Sequence, residues 1–198
     1  MIVRWKGKDR GVITLHDSAK FDAISAIDRL ESMGATTVML TRDTYPVARR
    51  FADMLGITSV LAGITAQDKP GAVRQLHTRG ANVLMVGNAS VMDTIAVADV
   101  GVLYAEDEFF DMGFKRTEMA ADALLMRDDV SAVPQLLEHG RRVSRIIDTN
   151  MLLAGVYNAV AVTLAASGVL PPMGATLLML GSSLIIEYRS VGARRFPQ

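Results

Sequence analysis

From Thr149 to Ile186 the sequence runs for 38 residues without an Asp, Glu, Lys or Arg. The hydrocarbon core of a bilayer is crossed by roughly 20 apolar residues of helix, so this stretch predicts two spans if something breaks it. Gly168, Pro171 and Pro172 do so. Met151–Leu170 reads as the first span, and Met173–Glu187 with its neighbours as a shorter second one. Arg141, Arg142 and Arg145 precede the first, Arg189, Arg194 and Arg195 follow the second, and the Gly-Val-Leu-Pro-Pro turn carries no charge. The positive-inside bias then puts both termini in the cytoplasm and the turn outside, a multi-pass membrane hairpin. The alternative is a pair of buried helices, but soluble domains rarely bury so long an uncharged hairpin.

The N-terminal Met-Ile-Val-Arg-Trp-Lys-Gly-Lys lacks the apolar core of a signal peptide. Residues 1–140 are therefore expected to form a cytoplasmic domain, and residues 141–198 a linker helix and two transmembrane helices. Lys plus Arg and Asp plus Glu both number 21. A neutral chain is a poor nucleic-acid binder, since that binding rests on releasing counterions from phosphates. With no Cys, disulfide frameworks, thiolate metal sites and a Cys nucleophile are excluded.

The first part alternates short apolar runs with amphipathic stretches. Gly11–Leu15, Thr37–Thr41, Val60–Ala62, Asn82–Gly87, Gly101–Tyr104 and Ala123–Met126 read as strands. Most are near-continuous Val, Leu, Ile and Met, the pattern of parallel strands covered on both faces. Phe21–Met33, Val47–Leu55 and Pro70–Thr78 read as helices, with Gly34, Gly56 and Gly80 as their stops. This alternation predicts an α/β fold with a right-handed parallel sheet. Val130–Asn150 reads as the helix that links sheet and membrane.

In open α/β sheets, ligands bind beyond the carboxyl ends of the strands. Three such ends carry polar residues suited to a phosphate. Thr41-Arg42-Asp43 offers a hydroxyl. Asp68-Lys69-Pro70 puts a Lys at a helix start, where the dipole already favours anions. Gly87-Asn88-Ala89-Ser90-Val91-Met92-Asp93 offers a glycine turn with side-chain oxygens for a metal-bound phosphate. Each alone reads equally as a turn, a cap or a solvated charge; the three together, in this order, are specific.

At this point the sequence resembles the C-terminal part of heavy-metal, copper-type cation-transporting P-type ATPases, whose cytoplasmic domain has the haloacid-dehalogenase fold. Val12-Ile13-Thr14-Leu15-His16-Asp17 resembles the strand that re-enters that domain. Met39-Leu40-Thr41-Arg42-Asp43 resembles M-L-T-G-D. Leu55-Gly56-Ile57 and Gln67-Asp68-Lys69 stand where the family has L-G-I and x-D-K. Met85-Val86-Gly87 and Ala98-Asp99-Val100-Gly101 bracket its G-D-G-x-N-D region. Tyr157-Asn158 and Met179-Leu180-Gly181-Ser182-Ser183 resemble its last two membrane helices. The resemblance covers roughly residues 10–190. It implies a partial haloacid-dehalogenase-like sheet domain followed by a transmembrane hairpin, with Thr41 for the phosphoryl oxygen, Lys69 for phosphoryl charge and Asp43 in support. It also implies Mg²⁺ and ATP as cofactors.

The departures carry as much meaning. No D-K-T-G is present, and Asp17 does not replace it, since Lys-Thr-Gly does not follow. The glycine of T-G-D is Arg42. The first Asp of G-D-G-x-N-D is Asn88, a poorer ligand for a hard cation than a carboxylate, and the next Gly is Ala89. Asp93 reaches the second acidic position only after a one-residue shift; in strict register that position is Met92. Asn88 and Asp93 are thus the remnants of a magnesium site.

In copper-type members, residues of the last two helices line the ion path. The corresponding positions are Tyr157, Asn158, Met179, Ser182 and Ser183, and a thioether suits Cu(I). Interhelical hydrogen bonding and simple packing are the alternatives there. The leading expectation is a membrane-anchored pseudo-ATPase that does not hydrolyse ATP and acts as a partner or regulator. Its protein partner or homo-oligomer contact would form through an incomplete sheet, because an unpaired edge invites pairing. The second is the C-terminal part of an ATP-driven heavy-metal cation transporter, active when the missing half is supplied. A small-molecule phosphatase is a third, opposed by the lack of a strand-end Asp-x-Asp.

Overall fold

The computed structural model describes residues 2–13, 18–104, 120–126, 129–169 and 171–191. The predicted Gly11–Leu15 strand falls partly outside them, as do His16, Asp17 and the acidic-aromatic run from Ala105 to Asp111. The chain divides into two compact units, Met1–Ala132 and Val133–Gln198.

The first unit opens on an antiparallel hairpin, β1 (Ile2–Trp5) and β2 (Lys8–Val12). Alternation of strands and helices follows: α1 (Ala23–Ser32), β3 (Val38–Leu40), α2 (Tyr45–Leu55), β4 (Ser59–Leu61), α3 (Lys69–Thr78), β5 (Leu84–Gly87), a 3-10 turn (Ala89–Val91), α4 (Met92–Ile95), β6 (Val100–Tyr104) and β7 (Ala123–Leu125). The strands expected from continuous apolar runs between Thr37 and Met126 appear within about two residues of their predicted bounds, whereas the expected Gly11–Leu15 strand gives way to Lys8–Val12, exposed and in the antiparallel hairpin. β1 was not among them, because Arg4 and the flanking charges interrupt its apolar pattern.

All strand pairs after the hairpin are parallel, but they form two separate sheets, β3-β4 and β5-β6-β7. Each has its own core. Ala23, Ala52, Leu55 and Ile57 are buried against the first, with Met39, Phe51 and Val60 packed beside them. Ile95 and Leu103 are buried at the second, beside Met85, Val91 and Leu124.

Two carboxylates lock the helices to this frame. Glu31, in the last turn of α1, accepts from the backbone N–H of Thr37 at 3.0 Å, from the Thr37 hydroxyl, and from the Thr58 hydroxyl at 2.8 Å. It thereby ties α1 to the entries of β3 and β4. These hydrogen bonds, from the Thr37 hydroxyl foremost, lower the Glu31 pKa. Asp22, just ahead of α1 and buried, accepts the Ser131 N–H at 2.8 Å. Ser131 immediately precedes the next helix, so this bond fixes the chain where that helix begins.

That helix, α5, runs unbroken from Ala132 to Ala166. The expected linking segment from Val130 to Asn150 and the first apolar segment are one element. It is long and apolar enough to cross a membrane. After Gly168 (φ 74°) the chain turns into α6 (Pro172–Val191). The Asn150 amide donates to the Ser190 hydroxyl at 3.2 Å, so α6 folds back along α5. Half-buried Asn150, Ala154, Tyr157, Ala161 and Leu164 recur every three or four residues along α5 and form one stripe.

Candidate functional site

The polar residues at the ends of β3 and β4 are placed by two interlaced loops. Thr41 N–H donates to Leu61 O at 3.0 Å and extends the β3-β4 ladder by one bond. Beyond it, Ile64 N–H donates to Thr41 O at 3.0 Å and Gly63 N–H to Asp43 O at 2.8 Å. Gly63 sits at φ 71°, a left-handed conformation that glycine adopts without strain. Thr41, Arg42 and Asp43 are therefore held against the loop that leads into α3.

Within this loop the Thr41 hydroxyl donates to Asp43 Oδ2 at 2.9 Å and accepts the Asp43 N–H at 3.1 Å. The hydroxyl expected to reach a phosphoryl oxygen thus has its proton engaged by Asp43, and a ligand would have to exchange that bond. Lys69 opens α3 and is half-buried. Burial first, and the charge of Arg42 second, lower its pKa. Arg42 stands on the loop after β3 and Lys69 at the start of α3. Among the described residues neither has a carboxylate partner. The carboxylates beside them in sequence are otherwise engaged, Asp43 by Thr41 and Asp68 by the Thr65 hydroxyl at 2.6 Å. The structure pairs Thr41 with Asp43 and sets Lys69 at the start of α3; Arg42, which the sequence offered only as a departure from pattern, bears on Lys69 through its charge.

Asn88 and Asp93 belong to the other sheet, after β5. Asn88 Oδ1 accepts from Ser90 N–H at 3.2 Å and from Ser90 Oγ at 2.6 Å, capping the 3-10 turn. Asp93 is exposed in the first turn of α4. Mg²⁺ takes hard, preferably charged oxygens in near-octahedral geometry. Here the amide oxygen is already held by Ser90, and among the described residues no three His, Asp or Glu side chains come together. The residues present do not fit a magnesium site.

Glycine at position 87 is demanded by packing. A Cβ there would lie 2.4 Å from Val91 Cγ2, so the turn after β5 closes down on the strand itself. His77 approaches Asp99 at 2.9 Å, and Asp99 also accepts the Val83 N–H at 2.7 Å. The hydrogen bond from Val83, then the charge of His77, lower the Asp99 pKa against the opposing effect of burial. This pair stands at the entry of β5, away from the strand ends that carry Thr41 and Asn88, and fastens α3 to the sheet. Sequence reasoning left His77 without a role, since its partner lies 22 positions away.

In the second unit Tyr157 lies on the half-buried stripe of α5, and Ser182 is half-buried on α6 with its hydroxyl donated to Met179 O at 2.9 Å. Asn158, Met179 and Ser183 are exposed.

Comparison with known proteins bears on this arrangement. The sequence model for haloacid dehalogenase-like hydrolases matches residues 2–101. Cation-transporting P-type ATPase B of Mycobacterium tuberculosis is 34% identical over 192 residues, which is 96% of this chain and 25% of that protein. The copper-exporting P-type ATPase of Staphylococcus haemolyticus is 32% identical over 197 residues, 98% of this chain and 24% of that protein. The chain thus spans about a quarter of the length of the curated relatives it matches. A crystal structure of a zinc-transporting PIB-type ATPase in the E2.Pi state superposes with a TM-score of 0.78 at 24% identity, covering 90% of this chain and 28% of that one. The fold is the haloacid-dehalogenase-like α/β domain with parallel sheets, followed by a long apolar helix.

Proposed function

The chain belongs to the haloacid dehalogenase-like hydrolase family, and from that premise we propose that it is a P-type cation-ATPase-like segment that holds a phosphate group without hydrolysing ATP by itself. On this reading it is a membrane-anchored partner or regulator of a cation pump. The observation that carries it is the Asn88 oxygen held by Ser90 N–H and Oγ, where the resemblance calls for a magnesium carboxylate. Phosphoryl transfer depends on positioning and on charge neutralisation by the metal, and these 198 residues contain no D-K-T-G. Thr41 and Lys69 remain as phosphate contacts, with Asp43 orienting Thr41. ATP and Mg²⁺ are the cofactors that the resemblance to cation pumps implies.

The α5-α6 hairpin is the anchor, with residues 1–140 and both termini on the cytoplasmic side. The edges of the β3-β4 and β5-β6-β7 sheets are the surface where a partner chain or a second copy would add a strand.

A second reading is the C-terminal part of an ATP-driven heavy-metal transporter, active when the remainder is supplied. It is favoured by the similarity to cation pumps over nearly the whole chain. Tyr157, Asn158, Met179, Ser182 and Ser183 would then complete an ion path, for Cu(I), together with helices from outside this chain.

The test is to purify the full chain in detergent and measure ATP hydrolysis alone, then with a related pump truncated where this segment begins. The first reading expects no turnover in either case, and none after adding Cu(I). Metal-stimulated turnover on mixing supports the second reading, and turnover by the chain alone refutes the first.

A further inference from the structure

Among the described residues Asp22 is the only ionisable residue that is buried, at 8% exposure. Its Oδ2 accepts one hydrogen bond, from the Ser131 N–H at 2.8 Å. Its Oδ1 is buried too, and no donor among the described residues reaches it. No Lys, Arg or His of the described residues pairs with this carboxylate. Lys20, two positions earlier, lies over the Tyr104 ring, 4.6 Å from its centroid. A carboxylate withdrawn from water keeps its charge only against a counter-charge or several donors, and one N–H is a thin supply.

A second carboxylate meets the same serine. The Ser131 hydroxyl donates to Asp129 Oδ2 at 3.0 Å, so Ser131 holds one acid by its backbone N–H and another by its side chain. Two negative charges are thereby gathered around one residue, which their mutual repulsion opposes. The surrounding backbone is pinned: the Tyr104 hydroxyl, at the end of β6, bonds the Asp129 carbonyl, and the Ser25 hydroxyl of α1 donates to Asp22 O at 2.9 Å. A cation resolves the conflict. Among the described residues no third His, Asp or Glu joins the two acids, so the donor set is short for a divalent ion, which takes six or more oxygens in a demanding shell. A singly charged hard ion needs less.

We propose that Asp22, Asp129 and Ser131 form a binding site for an alkali-metal cation, sodium or potassium, where the chain enters α1 and α5. Asp22 Oδ1 is the charged ligand that the protein leaves without a donor. Ser131 Oγ, its proton directed at Asp129, keeps its lone pairs for the ion, and the Asp129 carboxylate balances the remaining charge. The ion links the residue ahead of α1 to the one ahead of α5, and its occupancy sets how firmly that junction is held. The site is separate from the strand-end residues Thr41 and Lys69 and does not depend on the phosphate reading.

The experiment is thermal unfolding of the full chain in detergent at constant ionic strength, with N-methylglucamine chloride replaced stepwise by sodium or potassium chloride. A ligand that binds only the folded state raises the midpoint in a saturable way. The proposal expects a rise of at least about 3 °C in one of the two salts, together with hydrogen exchange at the Ser131 amide slowed at least about threefold. Asp22→Asn keeps an acceptor for Ser131 but not the charge, and should abolish both effects. Asp129→Asn should raise the half-saturating salt concentration at least about fivefold, and it carries the test should Asp22→Asn fail to fold. Asp148→Asn, an exposed carboxylate on α5, should leave the rise intact. A midpoint equal in all three salts, a rise that survives both Asp22→Asn and Asp129→Asn, or a rise that only Mg²⁺ or Ca²⁺ produces overturns the proposal.

Discussion

Gly101 lies directly beneath Ile95: a Cβ built on it would sit 2.6 Å from Ile95 Cγ2 and 2.9 Å from the Ile95 carbonyl oxygen. The side-chain atom could yield, but the backbone oxygen cannot without moving α4. Ile95 and Leu103 are the buried centre of the second sheet, so the strain would spread through it. Gly101→Ala is expected to destabilise the first unit by about 1–3 kcal/mol, as overpacking does. Thermal unfolding followed by circular dichroism would read this as a lower midpoint. An unchanged midpoint would mean that α4 is free to lift away.

The bond from Ser131 N–H to buried Asp22 gives a second expectation. Asp22→Ala leaves the Ser131 N–H without its partner in a buried setting and should cost about 1–2 kcal/mol. Asp22→Asn keeps an acceptor oxygen and should cost less. Hydrogen exchange at Ser131 and the first turn of α5 should accelerate in the alanine variant before exchange in β6 does. Uniform acceleration throughout would instead indicate global loss of stability.

Glu31 links stability to pH. Its folded-state pKa is lowered by the hydrogen bonds from Thr37 and Thr58. The contribution is therefore fully present above the unfolded glutamate value of about 4.3 and is lost as pH falls through the lower folded value. The unaltered chain should melt above Glu31→Gln at neutral pH, and the gap should close as the buffer is taken below pH ~4. A gap that persists in acid would assign the effect to packing.

Lys69 predicts a change of the opposite kind. Its charge is disfavoured by burial and by Arg42. Lys69→Met should therefore raise the melting midpoint in phosphate-free buffer and lower the rise that added phosphate brings. A midpoint that falls in phosphate-free buffer would mean that the ammonium has a stabilising partner.

The absence of cysteine makes the topology of the hairpin directly testable. Ser167→Cys, in the turn after α5, should react with a membrane-impermeant maleimide from outside intact cells. Arg142→Cys should react only after permeabilisation. Labelling of both positions from the same side would exclude a span by α5.

Much of the fold was legible because the strands of the parallel sheets are short continuous apolar runs. Val38–Leu40 and Leu84–Gly87 are such runs, and the glycines that close the helices bound them. The site was legible only in part. Thr41, Asp43 and Lys69 lie at strand and helix ends that the alternation itself locates. The bonds from Gly63 to Asp43 and from Ile64 to Thr41 depend on how two loops interlace, and local pattern carries no trace of that. Glu31 with Thr58, and Asp22 with Ser131, are 27 and 109 residues apart; polar contacts at such separations have no period to read. The Asn88–Ser90 cap is the exception, since an Asn two residues before a Ser is a turn signal in itself.

The unbroken course of α5 has a mechanical meaning. Its 35 residues at 1.5 Å each make a shaft about 52 Å long. A bilayer core of about 30 Å is crossed by some 20 residues of helix, so α5 is roughly 15 residues longer than a single span needs. With no proline between Gln135 and Ala166 to act as a joint, the shaft tilts as a whole. A 10° tilt about one end carries the other through about 9 Å, a displacement close to the width of a helix.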